Sequence, residues 1–113
     1  MTTFCDLGMA VLTGRDSREK ARLSREGAAE WLASRATGTP LPLGKAQPPL
    51  RPARPAEPEL LDPREMPKRR RGGVAGRIAL LHAIAHIELN AIDLHWDIAV
   101  RFSETDLPLG FFD

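Results

Sequence analysis

The 113 residues suffice for one small domain, and only four Phe, two Trp and no Tyr are available to build its core. A net charge of +1 points away from a dedicated nucleic-acid binder, and the single cysteine, Cys5, excludes an internal disulfide and fits a reducing cytoplasm. The N-terminus has no basic-then-apolar signal pattern, and no run of about 18 uncharged apolar residues exists to span a membrane.

Thr3 to Leu12 carries Phe4, Leu7, Met9, Val11 and Leu12, enough for one short helix that Gly14 breaks. Asp16 followed by Glu19 has the spacing of an acidic capping box and opens a second helix from Ser17 to Ala36. Leu23, Ala28, Trp31 and Leu32 make its narrow apolar stripe, with Arg18, Lys20, Arg22 and Arg25 expected in solvent. Residues 1–36 thus read as an amphipathic two-helix segment that needs a surface to pack on.

Nine of the ten prolines lie between Thr37 and Gly73, where missing amide donors forbid a helix or a central strand. Pro49, Pro52, Pro55 and Pro58 repeat at the spacing of polyproline II. Such a segment can serve as a ligand for an aromatic-lined groove. The preferred reading is a stiff strap with few contacts inside the chain. Lys68, Arg69, Arg70 and Arg71 close it. Four cations can grip phosphates, yet no aromatic residue is interleaved to stack on bases, so a solvated run is the preferred reading.

Residues 74–113 begin with VAGRIALLHAIAHIELNAIDLHWDIAVRF, free of proline throughout and of glycine after Gly76. This predicts one unbroken helix from Val74 to Phe102, about 43 Å long at ~1.5 Å per residue. It is apolar on nearly all sides, which belongs inside a larger assembly. Asp106 is placed to cap a further helix at Leu107-Pro108. The closing Phe111-Phe112 pair then suggests a cut chain, unless the tail docks back.

Ionisable groups in so apolar a helix need partners. His82, His86, Asp93 and Asp97 form one polar stripe, and the i,i+4 spacing of His82 and His86 can chelate a metal. No glutamate follows in the metalloprotease pattern and no third ligand is evident, so imidazoles bonded to neighbouring helices are preferred. Glu88 and His95 form the second stripe, about 20° apart in projection. Glu88 sits among Leu81, Ile84, Ala85, Ala91 and Ile92. A glutamate there either pairs with a cation or ligates one.

The segment LLHAIAHIELNAIDLHWDIAVRF resembles the first bundle helix of an uncharacterised ferritin-like family, a domain of unknown function in the rubrerythrin and di-iron carboxylate superfamily. PELLDPREMPKRRRGGVAGRIALLH is similar to the lead into that helix, DLPLGFFD to the start of the next segment, and EKARL and AAEWLAS to the N-terminal helices. AHIELNAIDL is the most specific piece. The resemblance implies an all-α fold, the N-terminal part of a four-helix bundle, in a longer parent protein. Dinuclear carboxylate bundles take one inward Glu from each of two helices and Glu-x-x-His from the other two. Glu88 matches the single-Glu position, and His86 and His95 are candidates to orient carboxylates by hydrogen bonds. The implied parent is a di-iron oxidase, hydroxylase or peroxidase. For the chain alone, no cofactor, no activity and no stable monomeric fold are expected. Its implied partners are the downstream helices of its own bundle, or further copies joined through Ile84, Ile87 and Ile92. The residues also allow a non-catalytic interaction protein that recruits a partner through the proline-rich and basic segment.

Overall fold

The computed structural model describes residues 1–56 and 72–113, and these contain α1 (Phe4–Thr13), α2 (Ser17–Ala36), α3 (Gly73–Arg101) and a 3-10 turn, Leu109–Phe112, with no strand among them. The all-α class expected from the sequence is the observed one. Lys68 to Arg71 lie outside the described residues, as does any phosphate contact through them. Among the described residues no helix is long and apolar enough to cross a membrane.

Each of the first two helices is started by a side chain. The Thr3 hydroxyl accepts from the Asp6 amide at 3.1 Å, and the Asp6 carboxylate accepts from the Thr3 amide at 2.9 Å, which closes a capping box. Asp16 accepts from the Glu19 amide at 2.9 Å, as its spacing predicts. α3 starts at Gly72-Gly73 without a side-chain cap and runs unbroken for 29 residues.

The proline-rich segment departs from expectation. Residues 40–55 form no helix or strand, yet they dock on α1 instead of standing free. The carbonyls of Pro42 and Leu43 accept from the amides of Phe4 and Cys5, both at 2.9 Å, and the Ala53 amide donates to the Leu12 carbonyl at 2.8 Å. The physical reason lies in α1, whose end groups have no partners within a ten-residue helix. An extended chain poor in donors still carries every carbonyl, so it can serve those orphan amides. Gly44, at φ +74°, passes so close to Thr3 that a Cβ there would lie 2.6 Å from Thr3 Cβ.

One aromatic cluster joins the elements. Phe4 of α1 meets Trp31 of α2 at 5.0 Å edge-on, Trp96 of α3 at 5.4 Å, and Phe112 of the tail at 5.3 Å edge-on. Edge-to-face pairs add about 0.5–1.5 kcal/mol each beyond area burial. Val11, Leu12, Val100 and Cys5 complete the buried core, with Leu23, Leu41, Leu43 and Ile92 packed against it. Ile92 is thus partly covered by this core.

The tail docks back. Phe112 is buried while Phe111 stays half exposed, and Asp106 caps nothing, because Pro108 precedes only a single 3-10 turn. The Asp113 carboxylate accepts from Trp31 Nε1 at 2.9 Å and from Arg35 Nε at 3.0 Å. Arg35 first, then Trp31, hold that carboxyl below its ordinary value, and partial burial opposes them. A depressed folded value means the contact stabilises the tail above the free-acid value of 3.8 and is lost as pH falls through the lower folded value. Acidification below that point is expected to release the tail locally, read as a change in the Trp31 indole N–H resonance. The same change should be present at neutral pH in Asp113→Ala; an unshifted Trp31 resonance in that variant would refute the linkage.

Candidate functional site

α3 has two unlike sides. Towards α1 and α2 it buries Asp93, Trp96 and Val100. Trp96 rests where two glycines leave room: a Cβ on Gly27 would lie 3.3 Å from Trp96 Cη2, and one on Gly8 would run into Val100 Cγ2. Trp96 Nε1 donates to Ser24 Oγ at 2.9 Å.

Beside this contact lies a buried ion pair that the sequence reading missed. Lys20, expected in solvent, is wholly buried, and its Nζ donates to Asp93 Oδ1 and to the Val11 carbonyl, each at 2.8 Å. The signal was present in α2: Lys20, Gly27 and Trp31 recur seven and four residues apart, and they are its buried positions. Asp93 Oδ2 is buried without a partner among the described residues, as is Arg54 Nη2. Arg54 of the proline-rich segment donates through Nη1 to Asn90 Oδ1, one helical turn before Asp93. Asp93 is thus a structural anion. Asp97, of the same polar stripe, accepts from Arg101 Nη2 at 2.9 Å on the surface.

The other side of α3 is open. Leu80, Ile84, Ile87, Leu94, Ile98 and Phe102 are each more than a third exposed. At ~100° per residue, Ile84, Glu88, Ala91, His95, Ile98 and Phe102 share an arc of about 80°. Glu88 is exposed within it, and no ion pair among the described residues involves it. Two short helices cover one side of α3 only.

Two grooves flank α3. The first, about 630 Å³, is lined by Ser17 and Ala21 of α2 and by His82, His86, Glu88 and Leu89 of α3, among others. The second, about 450 Å³, is lined by Phe4, Trp31, Trp96, Phe112 and His95, among others. His86 therefore shares a groove with Glu88, whereas His95 belongs to the other groove, about 10 Å further along the helix axis. No group of three His, Cys, Asp or Glu side chains among the described residues is placed to hold a metal ion. What α3 offers is one carboxylate on an uncovered apolar face, with a His-x-x-x-His pair round the side.

Residues 13–113 match the family described as "Protein of unknown function (DUF455)", and the chain belongs to that family. An uncharacterized protein from Haemophilus influenzae is 52% identical over 48 residues, which are 42% of this chain and 17% of that protein. The matched stretch thus spans about a sixth of that relative's length. No solved structure matches the chain.

Proposed function

We propose that this chain is the N-terminal part of a ferritin-like helical bundle whose dinuclear metal centre takes one carboxylate from Glu88. The observation that carries the reading is the setting of Glu88: a mid-helix carboxylate, without an ion-pair partner among the described residues, on an apolar face that α1 and α2 leave open. An apolar face of this extent calls for covering helices. Once it is covered, an uncompensated carboxylate becomes costly, and a divalent cation relieves that cost. Carboxylate oxygen is a suitable donor for iron or manganese, and the present residues fit one ligand's share of a site. The remaining donors are assigned to the helices laid on α3. Such a centre, when bound, supplies oxygen or peroxide activation, the chemistry of an oxidase, hydroxylase or peroxidase. Glu88 would anchor the metal, and Ile84 and Ala91 would exclude water around it.

The test is elemental analysis, paired with native mass measurement, of the protein isolated together with whatever covers α3. Two metal ions per Glu88-bearing chain, sharply reduced in Glu88→Ala without loss of helix content, is the expected result. A metal-free and cooperatively folded assembly would overturn it and leave the chain as a helical interaction module.

A further inference from the structure

We infer that His82 and His86 form a chelating site for a borderline divalent transition-metal ion, of the zinc, nickel or copper kind, in the groove between α2 and α3. The inference does not rest on the role given to Glu88. Both imidazoles line the same groove of about 630 Å³, so they face one volume and not merely one side of a helix. Neither has a hydrogen-bond or ion-pair partner among the described residues, so both ring nitrogens face the groove uncommitted to them. Residues four apart on a helix hold their Cβ atoms about 5–6 Å from each other, a span that two imidazole nitrogens can bridge with metal–nitrogen bonds of about 2.0–2.1 Å.

The scaffold is suitably rigid. α3 continues unbroken through both positions, so little conformational freedom is lost when the second imidazole binds. Imidazole nitrogen selects zinc, copper and nickel over magnesium and calcium, which favour oxygen. The groove has room for water to fill the remaining coordination positions, and the Ser17 hydroxyl on its α2 wall can bond such a water. Glu88 borders the same groove, but it is turned from His82 and His86 by about 120° or more in helical projection, so the two imidazoles are the chelating unit.

The test is calorimetric titration of the chelator-stripped 113-residue chain with zinc chloride, followed by copper(II) line broadening to locate the ion. One ion per chain is expected, with broadening centred on His82 and His86. His82→Gln and His86→Gln should each weaken binding at least tenfold, since losing a ligand exceeds the ~10–100-fold effect of losing a ligand's supporting hydrogen bond. His82→Cys, which replaces one good zinc donor by another, should retain it. Wild-type affinity in either Gln variant, an equal loss in Glu88→Gln, or no saturable binding would overturn the assignment. Helix content by circular dichroism separates a lost ligand from a lost fold.

Discussion

Lys20→Met is expected to cost about 3–5 kcal/mol of folding stability, the loss typical when one partner of a buried ion pair is removed. The Lys20 side chain has no solvent exposure and that of Asp93 only 5%, so water cannot take over the solvation of the abandoned carboxylate. Asp93 Oδ2 already lacks a partner among the described residues, and the substitution would leave Oδ1 in the same condition. The Val11 carbonyl is less affected, because the Gly14 amide also donates to it at 3.3 Å. The double variant Lys20→Met, Asp93→Leu should recover most of the loss, since the cost lies in the stranded charge more than in the absence of attraction. Denaturant unfolding followed at 222 nm measures both. A single variant within about 1 kcal/mol of wild type would show that the pair is wetter than its geometry implies.

Trp96→Ala should be nearly as severe, about 3–5 kcal/mol. The indole touches both other helices, seated against Gly8 of α1 and Gly27 of α2. Neither glycine has a side chain to lean into the void, so much of the cavity would persist. The variant also strands Ser24 Oγ and removes one of the three rings packed on Phe4. Trp96→Phe, which loses the hydrogen bond and part of the ring, should fall between Ala and wild type. Thermal unfolding of the three proteins gives the order, and an alanine variant as stable as the phenylalanine one would contradict the cavity argument.

The helices were legible in the sequence because their signals are local. Asp16 and Glu19 mark the start of α2, and the absence of proline from Val74 to Phe102 marks the extent of α3. The open face of α3 was legible too, since an all-round apolar helix cannot be covered by two short ones. What escaped was information carried between distant positions. Lys20 and Asp93 are 73 residues apart, and each alone resembles a solvated surface charge. The docking of residues 40–55 escaped for a related reason: proline content reports which hydrogen bonds a segment cannot donate, and is silent about those it can accept. Glu88 was singled out by its apolar neighbours, and the structure leaves it exposed among them. His95, grouped with Glu88 by helical angle, proved to serve another groove, because projection down an axis discards the distance along it.

The two carbonyls offered by Pro42 and Leu43 bear on how this polypeptide acquires its shape during synthesis. A ten-residue helix is marginal in water by itself, and α1 has its first two amides completed by residues 38 positions downstream and its Leu12 carbonyl by Ala53. α1 is synthesised before the residues that complete it, Pro42, Leu43 and Ala53, and so is finished late. Until then Phe4, Val11 and Leu12 remain without their lasting neighbours, and α2, which carries its own Asp16 cap and a surface Arg22–Glu26 pair, is the element equipped to form ahead of them.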